Sequence, residues 1–330
     1  MSDWFNNEIM IKRILKSFVV ALFLFSMVLF FLIKRPGFNT TDAINGTMQV
    51  DVSNLQIHVK KLSHEIKVRS FGEFNGLNEA SDYIETQFKL YHDEVSTQPY
   101  NIDGMTYQNV IATHGPSNSP VIVVGAHYDT YGDLPGADDN ASGVAGLLEL
   151  NRLLSGTILK KQVILVAYTL EEPPIYASQK MGSVIHAESL SGKEVELMIS
   201  LEMIGYFSDE SDSQSYPIST LAWLYPDTGH FITVVDELFS TAGPKLKKTF
   251  NQQGLIEAYS INAPAAIPGI DFSDHRSYWA LGMPAIMVTD TSFYRNQNYH
   301  TEFDTFDTLD YEKMSYVVSG VLEHVKLLAQ

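Results

Sequence analysis

Two histidines far apart in the chain lie beside acidic residues at short spacing, His127 in the segment GAHYDT and His300 in the segment YHTEFDT. A neutral imidazole nitrogen binds transition metals, and a carboxylate that accepts the other ring proton fixes the tautomer and raises the basicity of the ring. The sequence therefore predicts that His127 and His300 bind metal and that Asp129 orients His127. Asp304, four residues after His300, is a further candidate acceptor.

Carboxylates occur at three more places between the two histidines. Asp138 and Asp139 lie in PGADDNASG, where a helix begins and where the helix dipole stabilises anions. Glu171 and Glu172 precede two prolines, which favour an extended backbone and allow two neighbouring carboxylates to converge. Glu202 ends an apolar strand, and a buried carboxylate needs a partner such as a metal. We expect Asp138 to bridge two cations and Asp139 to shape the turn.

These residue types favour a catalytic metal site. Nitrogen and oxygen ligands in a chain without cysteine suit zinc with open coordination positions, not a closed structural site. Five ligands, one of them bridging, are what two metal ions need when a hydroxide lies between them. One of the two adjacent glutamates is then a general base, and Tyr299 is a candidate donor to a developing oxyanion. The sequence thus predicts metal-assisted hydrolysis.

The residues named above follow short apolar strands that alternate with helices. This alternation predicts an α/β domain, a three-layer α/β/α sandwich around a mostly parallel mixed sheet. Ligands of such sheets bind beyond the carboxyl ends of the strands. The predicted strands are Asn109–Ala112, Val121–Gly125, Val163–Thr169, Met198–Leu201 and Ala285–Thr289, and the predicted helices are Leu55–Val68, Asn78–Leu90, Ala141–Leu154 and Tyr311–Leu328.

The segment Ser17–Ile33 is uncharged and strongly apolar. With the residues just before it, it predicts a helix of about 20 residues, enough to cross a hydrocarbon core of about 30 Å. More basic residues precede it than follow it, and no small-residue cleavage site comes after it, so an uncleaved single-pass anchor is favoured. The predicted organisation is a cytoplasmic tip and transmembrane anchor over 1–35, a polar linker over 36–51 and an extracytoplasmic catalytic domain over 52–330.

The overall charge excludes one class of partner. The formal net charge is −17, from 39 acidic and 22 basic residues among 330. Nucleic-acid binding needs clustered lysine and arginine, so a nucleic-acid partner is not expected. An acidic chain of globular composition is compatible with carboxylates gathered around cations.

Taken together, the motifs GAHYDT, PGADDNASG, LEMIGY and YHTEFDT, with the Glu-Glu pair and SDHRSYWALGMPAIMVTDT, resemble those of the co-catalytic di-zinc aminopeptidases. The resemblance spans roughly Leu55 to the C-terminus and implies two zinc ions per chain and a cis peptide between Asp138 and Asp139. The roles that it implies are Asp138 as the bridging ligand, His127 and Glu202 on one zinc ion, Glu172 and His300 on the other, Glu171 as general base and Asp129 as the residue that orients His127.

One position departs from the family pattern, because many members carry aspartate where this chain has Glu202. The resemblance implies a peptide substrate with a free N-terminus, since a zinc ion can hold the α-amine. Three alternatives stay open: a glutaminyl cyclase-like transferase with a single zinc ion, a non-catalytic membrane-anchored binding module, and a carboxypeptidase. In the last case Arg276 or Arg295 would recognise the substrate carboxylate.

Overall fold

The computed structural model describes the backbone of residues 2–34, 49–92, 94–117 and 120–330, and the side chains of the first helix over 10–28. An eight-stranded mixed sheet lies at the centre of the chain, in the order β1-β2-β4-β3-β5-β8-β6-β7. Its strands are β1 (Val95–Ile102), β2 (Met105–His114), β3 (Val121–His127), β4 (Gln162–Tyr168), β5 (Val195–Leu201), β6 (Ile232–Glu237), β7 (Ala258–Ala263) and β8 (Ala285–Thr289).

Four neighbouring strands, β4, β3, β5 and β8, run parallel, so their carboxyl ends meet at one edge of the sheet. Strands β3 and β4 are buried along their whole length, as expected for parallel strands covered on both faces. The chain crosses from β4 over β3 to β5, so the direction of winding changes beside β3. At such a change a crevice opens beyond the strand ends, where ligands bind.

Helices cover both faces of the sheet. One face packs against the helices Phe74–Lys89, Gly143–Leu154, Ala242–Gln253 and Tyr311–Ala329, whose apolar side chains join the main hydrophobic core, and the other packs against Gly182–Ser189 and His275–Ala280. The mixed sheet with helices on both sides confirms the predicted α/β class. The helices are α1 (Ser2–Lys34), α2 (Val52–Lys60), α3 (Phe74–Lys89), α4 (Gly143–Leu154), α5 (Gly182–Ser189), α6 (Ala242–Gln253), α7 (His275–Ala280) and α8 (Tyr311–Ala329).

The N-terminal predictions have a different outcome. Within the residues that the structure describes, no helix combines the length and apolarity needed to cross a membrane. The predicted anchor Ser17–Ile33 runs past the described side chains of α1, and most of the predicted linker over 36–51 lies outside the described residues. The anchor and the linker therefore stay predictions.

Candidate metal centre

Three buried side chains converge at the carboxyl ends of β3 and β5. His127 is the last residue of β3, Glu202 follows β5, and Asp139 lies in the turn Ala137–Ser142 that precedes α4. The Nε2 atom of His127 lies 3.4 Å from Oδ1 of Asp139 and 3.4 Å from Oε2 of Glu202. These three side chains offer one nitrogen and two carboxylate oxygens to a single point.

A second group of side chains shares Asp139. The Nε2 atom of His300, in the loop after β8, lies 3.1 Å from Oδ2 of Asp139 and 3.2 Å from Oε1 of Glu172, which follows β4. The two oxygens of Asp139 therefore face the two histidines separately. A carboxylate shared by two cations needs this arrangement.

The donor set and its spacing fit a pair of metal ions. Zinc–ligand bonds of about 2.0–2.2 Å in a tetrahedron place neighbouring ligand atoms about 3.3–3.6 Å apart. The four distances given above, between 3.1 and 3.4 Å, lie in or next to that range. Imidazole and carboxylate donors without thiolate are those of a catalytic zinc site.

The carboxylates around both histidines favour the imidazolium form in the metal-free protein. Burial disfavours the imidazolium of His127, but the carboxylates of Glu202, Asp129 and Asp139 outweigh burial and raise its pKa well above the usual value. Burial likewise opposes the charge on His300, and its bonds to Asp139 and Glu172 raise its pKa to about 9. A divalent cation would displace these protons, because ligands bind metal in their deprotonated form.

The two adjacent glutamates differ in their surroundings. A carboxylate oxygen of Glu171 lies within 4.8 Å of the ligand atoms of His127 and Glu172. Glu171 belongs to neither of the two clusters of candidate ligands that share Asp139. Burial raises the pKa of Glu171 well above its usual value, against the effect of His127. Burial and the charge of Asp139 raise the pKa of Glu172 to about 8. Glu171 thus lies beside the candidate ligands as a carboxylate that readily holds a proton.

The structure does not support the prediction that Asp138 bridges two cations. The Oδ1 atom of Asp138 accepts the N–H of Gly205 at 3.0 Å, and Oδ2 accepts the Nδ2 amide of Asn296 at 2.8 Å. Burial and neighbouring Asp290 raise the pKa of Asp138 well above its usual value. Asp138 therefore points away from both histidines. Asp139 takes the bridging position that was predicted for Asp138. The cis peptide is likewise one residue later than predicted, between Asp139 and Asn140.

The turn that carries Asp139 is fixed by the end of β5. Asn140 donates from Nδ2 to the carbonyl of Leu201 at 2.8 Å, and its Oδ1 accepts the N–H of Met203 at 3.0 Å. Gly136 enters the turn with a φ of 56°, and a Cβ at this position would lie 2.3 Å from the carbonyl oxygen of Asp139. Only glycine fits there without displacing the backbone of Asp139. These contacts tie the positions of Asp139 and Glu202 to each other.

Asp129 contacts His127, as predicted, and also both adjacent glutamates. Its Oδ1 lies 3.4 Å from Nδ1 of His127, and its backbone carbonyl lies 3.2 Å from the same nitrogen. The two oxygens also accept the N–H groups of Glu171 and Glu172, each at 3.0 Å. One buried carboxylate therefore positions His127 together with both glutamates.

Asp304 has a different partner from the predicted one. Its Oδ1 and Oδ2 accept the N–H groups of Asp138 at 2.9 Å and Asp139 at 3.1 Å, with no described contact to His300. Burial, with Asp138 nearby, raises the pKa of Asp304 to about 8. Asp304 therefore holds the backbone at the shared ligand, 165 positions away in the chain.

Two further residues support the site and were not predicted from the sequence. Ser273 donates from Oγ to Oε2 of Glu202 at 2.7 Å, which fixes one oxygen of that candidate ligand. Arg69 is fully buried and donates to five backbone carbonyls, of Leu62, Lys67, Tyr128, Pro135 and Gly136. Its guanidinium thus holds the loop that leads to Asp139. Basic residues with backbone partners leave no motif in the sequence.

Two tyrosines enclose the imidazole of His300. The ring of Tyr131 stacks on it at 4.0 Å between centroids, and the ring of Tyr299 stacks on it at 3.7 Å. One imidazole face accommodates one such ring, so the two tyrosines cover opposite faces. Burial and the surrounding carboxylates raise the pKa of Tyr299, so its hydroxyl stays a proton donor.

A cavity of about 260 Å³ opens onto the candidate ligands. Glu171, Glu172 and Tyr299 line its inner end, and the rest of its wall is mainly aromatic and aliphatic. No lysine or arginine is among its described lining residues. The outer wall is formed chiefly by Tyr216, Leu221, Tyr225, Phe231, Val235, Ile261, Ile270, Phe272, Met287, Phe293 and Tyr294.

Histidines and carboxylates in metal-binding geometry, at the carboxyl edge of a mixed sheet and beside a cavity, are typical of metal-dependent hydrolytic enzymes. The chain belongs to peptidase family M28, whose family model matches residues 109–325. It is 43% identical to the uncharacterized protein YfbL of Escherichia coli K12, over 94% of this chain and 98% of that protein. It is 26% identical to a probable leucine aminopeptidase of Trichophyton verrucosum, over 84% and 73% of the two chains.

Solved structures share the fold. A zinc aminopeptidase of Bacillus subtilis aligns with a TM-score of 0.67 at 16% identity, over 84% of this chain and 96% of that one. A glutaminyl cyclase of Porphyromonas gingivalis aligns with a TM-score of 0.65 at 19% identity, over 86% and 100%. Since peptidases and cyclases both have this architecture, the fold by itself does not select the reaction.

Proposed function

We propose that the protein is an aminopeptidase that removes N-terminal residues from peptides with the help of two zinc ions. The observation that carries the proposal is the position of Asp139, whose two oxygens face His127 and His300 separately. In this proposal His127, Asp139 and Glu202 hold one zinc ion, and Asp139, Glu172 and His300 hold the other. When bound, the two ions supply an activated water and polarise the scissile carbonyl.

Glu171 is the proposed general base. It accepts a proton from the attacking water and later donates it to the leaving amine as the C–N bond breaks. Its raised pKa, caused mainly by burial, suits both halves of this transfer. The carboxylate of Asp129 holds Glu171 in place by accepting the backbone N–H of Glu171, and the hydroxyl of Tyr299 donates to the developing oxyanion.

The lining of the cavity favours a substrate that binds by its N-terminus over one that binds by its C-terminus. A free α-ammonium group finds carboxylates at the inner end, and the side chain of the same residue enters the apolar wall beyond them. A terminal carboxylate would find no lysine or arginine among the described lining residues. Arg276 instead pairs with Asp271 at 3.5 Å, and buried Arg295 donates to Gln214 at 2.8 Å, so neither candidate of the carboxypeptidase alternative lines the cavity.

The test is Glu171→Gln, which keeps the size and removes the base. Turnover of leucine p-nitroanilide is expected to fall by about 100-fold or more, with zinc content unchanged at about two per chain. The exposed Glu188→Gln on α5 is the matched control and keeps full activity. Retained turnover in Glu171→Gln would refute the assignment of the base.

A glutaminyl cyclase-like reaction is the second candidate, because a glutaminyl cyclase shares the fold. Product mass separates the two on a peptide with N-terminal glutamine: cyclisation releases ammonia, whereas hydrolysis adds water and frees the glutamine. Zinc content separates them as well, since the cyclase hypothesis has one ion per chain. A non-catalytic module is disfavoured because every ligand type needed for two metal ions is present in the described site.

The location of the enzyme is proposed from the sequence. We infer a single-pass anchor at Ser17–Ile33 with the catalytic domain outside the cytoplasm, on the strength of apolarity and flanking charge. The test is fractionation of the full chain, with protease added outside intact spheroplasts, where the catalytic domain is expected to be degraded. Recovery of the full chain in the soluble cytoplasmic fraction would overturn this proposal.

A further inference from the structure

A second depression reaches the metal centre from the side opposite the apolar cavity. A narrow crevice at Asp139 and His300 includes Tyr131, Leu134 and Thr301. Leu134 and Thr301 also line a groove of about 960 Å³. Because Tyr299 lines the apolar cavity and Tyr131 lines the crevice, on opposite faces of His300, the two spaces meet at the candidate metal ligands from different sides.

The groove, named here the Phe303 groove, differs in chemistry from the apolar cavity. Exposed Asp133, Glu302 and Asp307 line it, against one lysine, Lys67, and one histidine. Phe303, whose side chain is 65% exposed, and half-buried Phe306 form its aromatic surface. An exposed phenylalanine between carboxylates is a surface that suits a cationic and partly apolar chain segment.

We propose that the Phe303 groove binds the part of the peptide that follows the scissile bond and selects substrates with lysine or arginine near the new N-terminus. This inference rests on the proposed aminopeptidase function. If the N-terminal side chain fills the apolar cavity, the leaving peptide must depart from the metal centre in another direction. The crevice at Tyr131 leads there, and Asp133 and Glu302 directly adjoin the shared wall residues Leu134 and Thr301.

The experiment compares the tripeptides Leu-Lys-Phe and Leu-Glu-Phe with leucine p-nitroanilide. We expect the wild-type enzyme to prefer the lysine peptide by about tenfold in kcat/KM, as two partly solvated carboxylates at close range would produce. The preference is expected to shrink at high salt, because exposed charges are screened. In the double variant Asp133→Asn/Glu302→Gln, the ratio of kcat/KM for Leu-Lys-Phe to that for Leu-Glu-Phe is expected to fall to about twofold or less.

The matched control is Asp82→Asn/Glu188→Gln, which removes two exposed charges outside the groove and should leave the ratio at its wild-type value. Phe303→Ala should lower kcat/KM for Leu-Lys-Phe by about threefold more than for Leu-Lys-Ser. A wild-type ratio near one, or a ratio that survives in the groove double variant, would overturn the proposal. Hydrolysis of leucine p-nitroanilide by the wild type shows separately whether the aminopeptidase function itself holds.

Discussion

Replacement of either adjacent aspartate by asparagine tests the geometry of the centre. Asp139 offers one oxygen to each histidine group, at 3.4 and 3.1 Å from the two Nε2 atoms. In Asp139→Asn one of these oxygens becomes an NH₂ group, which cannot bind metal, and the other loses its charge. In the proposed two-zinc site, one ion would lose a ligand outright, and the other would keep a weaker one.

The loss can be scaled from known metal sites. Removing a partner that only orients a ligand weakens metal binding by about 10- to 100-fold, so removing a ligand should cost at least about 100-fold, or about 2.7 kcal/mol. Zinc content of Asp139→Asn after dialysis is expected to fall from about two ions per chain to about one or fewer. The assays are metal analysis by mass spectrometry and titration with a competing chelator, with activity measured alongside.

Asp138→Asn has the opposite expectation. Its new NH₂ group would face either the N–H of Gly205 or the amide of Asn296, which costs about 1–3 kcal/mol of unfolding free energy. Zinc content should stay at about two. Adding Asn296→Asp, which exchanges donor and acceptor, should restore part of the stability. If Asp138→Asn lost zinc while Asp139→Asn kept it, the geometric reasoning would be refuted.

Three further outcomes follow from the surrounding contacts. Arg69→Met should lower the unfolding free energy by about 3–5 kcal/mol, measured by urea denaturation, because it removes five hydrogen bonds to backbone carbonyls, four of them buried. Asp304→Asn should weaken zinc binding by about 10- to 100-fold, measured by chelator competition, because it loses an acceptor for the N–H groups at the shared ligand. The metal-free protein should be less stable at pH 9 than at pH 6.5. The raised pKa of His300, about 9, and that of Glu172, about 8, mean that the folded state binds more protons than the unfolded state across that interval. Thermal unfolding with and without zinc checks this, and equal melting temperatures at both pH values without zinc would contradict it.

The parallel centre of the sheet was predictable because its strands are apolar on both faces. The predicted strand over residues 285–289 matches β8, and those at 121–125 and 163–169 fall within two residues of β3 and β4. The region of β6, α6 and β7 was not predicted. Strand β7 alternates buried and half-buried residues, and β6 pairs with β8, which lies about fifty positions later in the chain. Short strands of this kind depend on partners that local sequence does not reveal.

The chemistry of the site was predictable from residue types, but the choice within the Asp-Asp pair was not. Asp138 and Asp139 have the same charge and lie in the same turn, so spacing gives no reason to choose between them. The choice is made by Asp304, which accepts the N–H groups of Asp138 and Asp139, and by Asn140, whose side chain binds the backbone of Leu201 and Met203 at the end of β5. Such hydrogen bonds are properties of the folded chain.

The balance of buried charge supports the proposal that this centre binds cations. Each buried carboxylate in an apolar surrounding needs protons, hydrogen bonds or an opposite charge. Asp129 and Asp304 are satisfied by backbone N–H groups, and Asp138 by Gly205 and Asn296. The remaining carboxylates, Asp139, Glu171, Glu172 and Glu202, face the two histidines, and burial raises the pKa of the three glutamates. Two divalent cations would replace the protons that the metal-free centre holds, and these four carboxylates would then face positive charge.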